Sequence, residues 1–570
     1  MKRLTLLVAG FLAFATSVSA QKAVGDGQVT GSIESSSIYY TPDKKLGYPD
    51  KPTSPDPIDD YFGSNNYIKV DYMSGRFTAG IQVNAFLPSL VGYEPYATGY
   101  KFYLASKYIQ WRDKDFEVLV GDIYDQLGNG LIFRSFEDRQ LGINNSLEGV
   151  RAAYHFGRYA TIKGMYGRPR LYSEYSKTWV RGADLSISLA DIMKASAITW
   201  NIEGSYVNRY QSLDQAPSTM HELVDMKPVF DPTLGEMVTP QQTLLEAKGV
   251  TPNLNLFSGR MNFGWNGLTV RGEYVHKGKD LANIKAESTN KGWAALGEVG
   301  YNYKTFSVMT TFRALRSMAT KINIFEDSQS LIDKYGGNTI NYLPALTRQY
   351  TYMLTNLNPY QVRVNGEMGG QIDLCYSYRS KSNRYRYWNF HANFSTFYSL
   401  DKVAHKGNKH SLYWMDVNFD VERQWNKKWK TLILYSFQNN QALSTVNHTS
   451  HIFVADVTHK FNRKTSLRFE LQYLHGESQD KWHKGDSEGD WVAALVEFNL
   501  APRWSIFAQD MYNIGMTKTH YYNGGFSYTQ NRTRIQLSYG RNRAGNVCSG
   551  GVCRWSPAYT GVNLMLTSSF

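Results

Sequence analysis

Residues 415–422 read Met-Asp-Val-Asn-Phe-Asp-Val-Glu, and residues 467–473 read Leu-Arg-Phe-Glu-Leu-Gln-Tyr. In both stretches apolar and polar side chains alternate. Successive side chains of a β-strand point to opposite faces, so each stretch predicts a strand with one apolar face and one polar face. The same alternation recurs in residues 198–203, 372–376 and 535–539. The sequence therefore predicts a protein built from two-faced strands.

Two architectures use such strands. The apolar faces meet each other in a soluble sandwich, whereas in a transmembrane barrel they meet lipid and the polar faces line a lumen. Many predicted strands span about 10 to 13 residues, which favours the barrel because about 9–11 tilted residues cross a bilayer. Aromatic residues near the strand ends suit the girdles at the lipid headgroups. These residues are Tyr39, Tyr40, Trp111, Tyr206, Tyr210, Tyr303, Trp425, Trp429 and Trp504.

The predicted connections alternate between tight turns and longer segments. The tight turns are 73–76, 111–115, 156–159, 190–195, 264–268, 301–305, 379–386, 425–428, 461–465, 500–504 and 529–533. The longer segments include 41–64, 126–149, 211–253, 316–366, 476–489 and 544–560. Placing every tight turn on the periplasmic side gives a consistent up-and-down order of strands. The sequence therefore predicts that residues 29–570 form an all-β, transmembrane antiparallel β-barrel of the outer-membrane type, with about 24 strands (roughly 20–26).

The composition excludes several other classes of protein. The 570-residue chain carries a net charge of +13, 14% aromatic residues and only 3 cysteines, which argues against a disordered chain and a disulfide scaffold. No apolar stretch after residue 20 is long enough for a spanning helix. Basic loop residues suit the anionic lipopolysaccharide of an outer leaflet, so we expect contact with outer-membrane lipid and lipopolysaccharide. Basic residues alternate with acids along the strands instead of clustering, which argues against binding of nucleic acid.

Both ends of the chain predict an outer-membrane location. Residues 1–20 resemble a signal peptide, with Lys2 and Arg3 before an apolar run and a small-residue site that predicts cleavage after Ala20. A short N-terminal segment, 21–28, precedes the predicted barrel. The last strand, 561–570, alternates and ends on Phe570. Bacterial barrels commonly end in this way, and we expect the barrel-assembly machinery to read this strand.

The cysteines predict one disulfide. Cys548 and Cys553 flank Gly550-Gly551, which permits a tight hairpin. An oxidising compartment favours a bond between them, and the competing metal pair lacks a nearby third ligand. We expect this bond to hold Arg554 and Trp555 on the outer rim. Cys375, on a polar strand face, is interpreted as a small lumen-wall residue.

No catalytic motif is evident. His221 begins a His-Glu run that lacks the second histidine of a zinc-protease helix, and there is no Gly-x-Ser-x-Gly elbow or phosphate-binding glycine loop. The prediction is a protein without enzymatic activity, cofactor or metal. A barrel enzyme with catalytic residues on its wall is the less favoured alternative.

One segment is a candidate constriction. Residues 121–151 hold several glycines and closely mixed charges, and either fold into the lumen or form an ordinary outer loop. Opposed acids and bases in a lumen would act on permeating solutes. The predicted lumen and constriction residues are Arg134, Glu137, Asp138, Arg139, Arg151, Arg271, Glu273, Asp416, Asp420, Arg468 and Glu470.

Two motifs carry a resemblance to a known family. Residues 121–130 read Gly-Asp-Ile-Tyr-Asp-Gln-Leu-Gly-Asn-Gly, and residues 547–554 read Val-Cys-Ser-Gly-Gly-Val-Cys-Arg. Both look like hallmarks of an uncharacterised Bacteroidota outer-membrane β-barrel family, a domain of unknown function. The resemblance implies compartment and fold, and no activity. The chain departs from TonB-dependent transporters, which carry an N-terminal plug domain, and from type IX secretion cargo, which ends in a soluble sorting domain.

Two functions follow as hypotheses. The leading one is a porin-like channel for polar solutes, because the polar strand faces would line a water-filled lumen. The alternative is a structural or accessory subunit of an outer-membrane secretion, assembly or uptake complex. In that case the long segments 211–253 and 316–366 would dock partners.

Overall fold

The computed structural model describes most of the chain outside the predicted signal peptide. The described residues are 23–24, 27–46, 61–93, 101–232, 236–282, 285–325, 338–383, 385–403, 407–441, 448–478, 489–549 and 552–570. The predicted cleavage site after Ala20 and the Gly550-Gly551 pair lie outside them. Within these ranges, no helix has both the length and the apolar character needed to span a bilayer.

The described residues form a closed barrel of 24 antiparallel strands, labelled β1 to β24 in chain order. In order, they are Gly27–Tyr40, Phe62–Ser74, Phe77–Phe86, Lys101–Arg112, Phe116–Ile123, Leu147–Phe156, Ala160–Leu171, Trp179–Ser188, Ile198–Tyr210, Asn253–Trp265, Leu268–Asp280, Asn290–Tyr303, Phe306–Arg316, Gly366–Arg379, Tyr387–Val403, Lys409–Gln424, Trp429–Asn440, His448–Lys460, Thr465–Ser478, Trp491–Leu500, Trp504–Asn513, His520–Gln530, Thr533–Asn542 and Tyr559–Ser569.

The last strand closes the barrel against the first. β24 pairs antiparallel with β1, in a register that sets Ser32 opposite Ser569 and Tyr40 opposite Gly561. The Phe570 amide donates to the Gly31 carbonyl at 3.0 Å, and the Gly31 amide donates back at 3.1 Å. A closed sheet leaves no unpaired edge, as a membrane-spanning sheet requires. The predicted fold class and the strand number are confirmed.

Alternation along the strands gives the barrel an apolar outside and a polar inside. On β19, Leu471 is 46% exposed on the outer face whereas its neighbour Glu470 is 3% exposed on the inner face. On β16, Phe419 points outward and Asp416 inward in the same way. Outward aromatic residues such as Trp429 occupy the strand ends, as predicted for a girdle.

One predicted girdle residue points the other way. Tyr40 is 1% exposed and its hydroxyl accepts a hydrogen bond from the Val91 amide at 3.0 Å. Because Tyr39 takes the outward position on β1, its neighbour must face the lumen. The girdle assignment of Tyr40 is therefore wrong.

All the predicted tight turns lie at one end of the barrel, called here the short-turn end, and the longer connections lie at the other, the loop end. A four-residue helix, Leu189–Ile192, occupies one tight turn, and a second, Leu244–Ala247, lies in the connection after β9. The 3-10 helices are Lys44–Leu46, Leu213–Gln215, Ser218–His221 and Leu354–Asn356. Short strands outside the 24 are Ala23–Val24, Gln126–Leu127, Phe133–Arg134, Glu137–Asp138, Ile143–Asn144, Glu174–Tyr175, Leu223–Asp225, Val229–Asp231, Glu236–Val238, Gln241–Thr243, Gly545–Ser549 and Val552–Ser556.

The apolar core lies inside the loop end of the barrel. Leu131, Phe133 and Ile322, from the longer connections, are almost completely buried. They pack with inward-facing apolar side chains of β5 to β13, which are Ile123, Leu147, Met165, Val180, Val207, Leu254, Leu256, Val275, Ala294 and Leu315. Burial of apolar surface at about 25 cal/mol per Å² favours this inward position over an exposed loop. The barrel wall thus carries segments folded into its lumen.

Candidate functional site

Four stretches from the longer connections fold into the loop end of the lumen and are called here the inner layer. They are residues 87–93, residues 124–146, and the described parts of 317–365 and 543–558. Backbone hydrogen bonds of 2.8 Å join the second stretch to the third, from the Tyr342 amide to the Gly130 carbonyl and from the Arg134 amide to the Ile340 carbonyl. Arg543 of the fourth stretch donates to the Leu357 carbonyl of the third at 2.9 Å, and Arg554 donates to the Gly92 carbonyl of the first at 2.8 Å, so the inner layer is one connected structure within the barrel.

The glycine-rich motif after β5 makes the first contact with the wall. Gly128 and Gly130 adopt positive φ values of 56° and 86°, which glycine tolerates without strain. A Cβ on Gly128 would lie 2.5 Å from the Arg260 side chain. Between them, Asn129 donates from its backbone amide and its side chain to Glu273 of β11, at 3.0 and 2.7 Å. The predicted lumen residue Glu273 thus holds the motif against the wall.

The predicted charges of residues 134–139 also make local contacts. The Arg134 guanidinium lies over the Tyr342 ring, 4.0 Å from its centroid. Glu137 accepts a hydrogen bond from Gln82 at 2.6 Å, and Asp138 accepts one from the Leu141 amide at 3.0 Å.

Two predicted arginines pair with carboxylates. Arg139 forms an ion pair of 2.8 Å with Glu34 of β1. Arg151, on β6, pairs with Glu117 and with Asp125, the latter at 3.2 Å. These ion pairs tie the segment to the wall.

Four more predicted residues, Asp416, Asp420, Arg468 and Glu470, lie across the lumen on β16 and β19. The Tyr350 hydroxyl, from the inner layer, donates to Asp416, and Arg348 pairs with Asp420 at 2.5 Å. Burial and the Asp416 carboxylate raise the pKa of Tyr350 above its ordinary value, so the hydroxyl remains a donor. Residues 338–365 thus connect the charges of β16 to the glycine-rich segment.

Further along the wall, the predicted Arg468 and Glu470 belong to one cluster. The Arg468 guanidinium lies 2.8 Å from Asp456 and 2.6 Å from Glu470. The hydroxyl of Tyr352, from the inner layer, reaches Asp456 at 3.3 Å. Each acid of this cluster therefore has a basic or hydroxyl partner.

Sequence reasoning missed the role of residues 338–365, which lie in a long segment that only the accessory-subunit hypothesis gave a role, the docking of partners. The composition of this segment is the signal that it folds inward: residues 343–360 contain three tyrosines and a single charged residue, Arg348. A loop facing water is usually richer in charge. The inward fold buries Leu354 completely against β19 and its neighbours. Residues 338–365 therefore pack inside the barrel, and docking of a partner by segment 316–366 stays a prediction.

Further buried charges of the wall hold the third stretch of the inner layer. Arg313 and Glu367 are both fully buried and pair at 2.5 Å, and Arg313 also donates to the Pro344 carbonyl. Lys277 donates to the Ser317 carbonyl at 3.0 Å. A buried charge is tolerated only when it is paired and hydrogen-bonded. These side chains therefore fix where the inner layer sits.

Inward charges near the short-turn end have greater access to water. Arg271 of β11, one of the predicted lumen residues, is 56% exposed and lies 3.0 Å from Glu298. Arg468 and Glu497 are each about one-third exposed. A cavity of about 120 Å³ remains within the inner layer, between residues 345–360, Trp414 and Cys548. The site thus has two parts. At the short-turn end the lumen is lined by water-accessible charges and is called here the vestibule, and toward the loop end lies the packed inner layer with its small cavity.

The predicted disulfide between Cys548 and Cys553 is present, with an S–S distance of 2.00 Å. It joins the two strands of a hairpin that folds inward. Arg554 is 5% exposed, donates to the Gly92 carbonyl at 2.8 Å and covers the Tyr93 ring at 4.2 Å. The placement of Arg554 on the outer rim is therefore wrong, because carbonyl acceptors and an aromatic ring lie inside.

A closed antiparallel barrel with an apolar exterior and a charged interior is an outer-membrane-type β-barrel. The chain belongs to the family of unknown function DUF6029, whose model matches residues 1–570.

Solved structures give weaker likenesses. The chain is 9% identical to the translocation pore of the P pilus usher PapC, covering 95% of this chain and 99% of that chain at a TM-score of 0.45. It is 8% identical to the siderophore receptor PirA from Pseudomonas aeruginosa, with 96% and 81% covered and a TM-score of 0.42. For Acinetobacter baumannii OccAB3, the identity is 10%, the coverage 96% and 100%, and the TM-score 0.34. No curated protein matches the sequence.

Proposed function

We propose that the protein is a non-enzymatic outer-membrane channel that passes small polar or charged solutes through a lumen narrowed by its inner layer. The observation that carries this proposal is the inward face of the barrel. Charged side chains such as Arg271 and Arg468 are part-exposed at the short-turn end, inside a wall whose outer face is apolar. Such a lumen holds water wherever loops do not fill it.

The inner layer determines how wide the permeation pathway through the lumen is expected to be. Leu131 and Phe133 pack tightly against the wall, so a wide general pore is disfavoured. The solutes we expect are small and polar, because acids and bases alternate around the narrowed region. Low conductance with ion selectivity is the electrical signature of such a path.

Single-channel recording in planar bilayers tests the proposal. The purified chain is compared with a variant in which a short Gly-Ser linker replaces residues 131–142 of the inner layer. A matched control shortens residues 226–240, where Phe230 and Met237 are each 61% exposed. We expect small steps for the parent and the control, and larger steps for the inner-layer variant. Silence from all three proteins, with heat-modifiable gel mobility showing folded barrels, would contradict a channel.

A second candidate is the accessory subunit. Leu223, Phe230 and Met237 expose more than 60% of their surface in the connection after β9. Exposed apolar groups in such a loop suit contact with another protein. Site-specific cross-linking from residue 230 in intact cells tests this role. A discrete adduct, together with electrical silence of the purified chain, would favour the subunit over the channel.

We further propose the route by which the chain reaches its membrane. The signal peptide is cleaved after Ala20, the barrel-assembly machinery reads the strand that ends at Phe570, and the loop end meets lipopolysaccharide. The pairing of β24 with β1 supports a role for the last strand, because this seam is the final closure of the sheet. The two motifs support a Bacteroidota origin.

A further inference from the structure

Three neighbouring strands bring a mixed set of metal-binding side chains to one place on the lumen wall. Asp373 and Cys375 lie two residues apart on β14, so both point inward. β15 sets His391 directly opposite Cys375, and β16 sets Asp420 directly opposite His391. The register of the sheet thus fixes a carboxylate, a thiol, an imidazole and a second carboxylate side by side.

Three of these side chains converge as a ligand set. His391 Nε2 lies 2.8 Å from Asp373 Oδ2, and Cys375 Sγ lies 3.6 Å from Asp373 Oδ1. One ligand atom from each of the three residues falls within 4.8 Å of the others. Tetrahedral zinc, with bonds of about 2.0–2.3 Å, separates its ligand atoms by roughly 3.4–3.7 Å. Small side-chain adjustments therefore suffice to bring all three onto one ion.

The fourth side chain orients the imidazole. His391 Nδ1 lies 2.9 Å from Asp420 Oδ2, and Arg348 pairs with the same carboxylate at 2.5 Å. A metal-bound histidine commonly donates its other ring N–H to a carboxylate, which fixes the tautomer that leaves Nε2 free to bind. Asp420, held by Arg348, occupies that position.

The site is open on one side. Asp373 and His391 are 25% and 20% exposed, so water in the lumen reaches them. The other two cysteines of the chain form the disulfide, and Cys375 is the one free thiol. Thiolate and imidazole ligands select zinc and similar soft or borderline ions, whereas magnesium and calcium prefer oxygen ligands alone.

We propose that Asp373, Cys375 and His391 bind a thiophilic divalent cation such as Zn²⁺, with its fourth coordination position facing the lumen. Binding releases the thiol proton to water, because the thiolate is the ligand. The proposal does not depend on channel activity. The competing account is an ion cluster in which His391 bridges two carboxylates and Cys375 has no part.

Calorimetric titration of the full-length protein in detergent with Zn²⁺, and separately with Mg²⁺, distinguishes the two accounts. We expect saturable binding of one Zn²⁺ per chain and none of Mg²⁺. Cys375→Ser and His391→Gln should weaken Zn²⁺ binding at least tenfold. Asp420→Asn should weaken it about 10- to 100-fold, and Asp420→Glu should recover part of the loss. His451→Gln, on β18 beside Tyr435, is the matched control and should bind like the parent.

A second measurement needs no variant. Alkylation of Cys375 by a maleimide in the parent protein should slow at least tenfold in Zn²⁺ and remain unchanged in Mg²⁺. Parent protein that binds no Zn²⁺, a Cys375→Ser variant that binds as tightly as the parent, or alkylation that Zn²⁺ does not slow would each overturn the site.

Discussion

The position of a single side chain along a strand decides whether it meets lipid or the lumen. Leu471 and Arg468 lie on the same strand, β19, but point to opposite sides of the wall. An arginine on the lipid face costs about 2–4 kcal/mol near the bilayer midplane, because its charge loses water. We therefore expect Leu471→Arg to lower the free energy of unfolding by about that amount in urea titrations of vesicle-inserted protein.

The matched change on the same strand is Arg468→Leu. It leaves Asp456 and Glu470 without their arginine, but Asp456 keeps the hydrogen bond from the Tyr352 hydroxyl at 3.3 Å, and the buried Glu470 keeps one from Gln472 at 2.5 Å. Insertion should therefore survive, with a smaller loss of stability than for Leu471→Arg. Equal losses of stability for the two variants would contradict the assignment of Arg468 to the lumen face and Leu471 to the lipid face.

Asp43, which follows β1, bonds to the last two strands of the barrel, β23 and β24, and this set of bonds is called here the clasp. Its carboxylate accepts hydrogen bonds from Arg541, at the end of β23, at 2.7 and 3.0 Å, and from Thr560 of β24 at 2.6 Å. Burial raises the pKa of Asp43, but the bonds from Arg541 and Thr560 outweigh that effect and leave the pKa below its ordinary value.

A lowered pKa makes this clasp dependent on pH. The stabilisation is present above the unfolded-state pKa of about 3.9 and is lost as the pH falls through the lower folded-state value. We expect Asp43→Asn to reduce the thermal stability of the detergent-solubilised barrel at pH 7, and the difference from the parent to shrink below about pH 4. A difference that stayed constant down to pH 2 would rule out the ionised carboxylate as its source.

Among the elements, the strands and tight turns could be predicted and the inner layer could not. Alternation such as that of residues 467–473 is a local signal, and the strand parity that it predicts is confirmed by the outward Leu471 and inward Glu470. The contacts of the inner layer are remote in sequence, as Asn129 with Glu273 illustrates. No local pattern specifies which wall residue a loop will meet.

The candidate site, too, was predictable from the sequence only in part. The parity of Asp416 and Arg468 follows from their strands, whereas their partners Tyr350 and Asp456 come from other elements. The set of Asp373, Cys375 and His391 depends on the register between β14 and β15, and a register shift of one residue would separate them. Sequence alone did not give that register.

The disulfide hairpin is an element with two independent attachments. The Cys548–Cys553 bond closes a very short loop, for which the chain-entropy model gives less than the ~3 kcal/mol of a 15-residue loop. Arg554 separately anchors the hairpin to the Gly92 and Gln140 carbonyls. We therefore expect the Cys548→Ser, Cys553→Ser double variant to keep the heat-modified gel mobility of the parent.

Thiol counting completes that test. The unreduced parent should show one reactive thiol, Cys375, and the double variant should show the same number. Three reactive thiols in the unreduced parent would show that the disulfide bond does not form. A double variant that fails to insert would show that the bond contributes far more to stability than loop closure does.

For the whole molecule, the short-turn end of the barrel carries a set of basic turns. The tight turns 425–428, 461–464, 501–503 and 531–532 carry lysine or arginine and no acidic residue. Aromatic residues such as Trp429 and Trp504 border these turns. Basic side chains beside an aromatic girdle suit the phosphates of lipid headgroups. Positive charge is therefore available to membrane lipid at the short-turn end.

The orientation of the whole barrel follows from the sorting of its connections and can be tested directly. Outer-membrane barrels place short turns in the periplasm and longer loops outside. An epitope tag inserted after the exposed Lys227, in the connection between β9 and β10, should bind antibody on intact cells. The same tag after the exposed Arg463, in the turn between β18 and β19, should bind antibody only after the outer membrane is permeabilised. Both insertions lie outside the strands, so both proteins should keep the heat-modifiable mobility of a folded barrel. Staining of intact cells at residue 463 but not at residue 227 would reverse the orientation, and would place the basic turns at the cell surface.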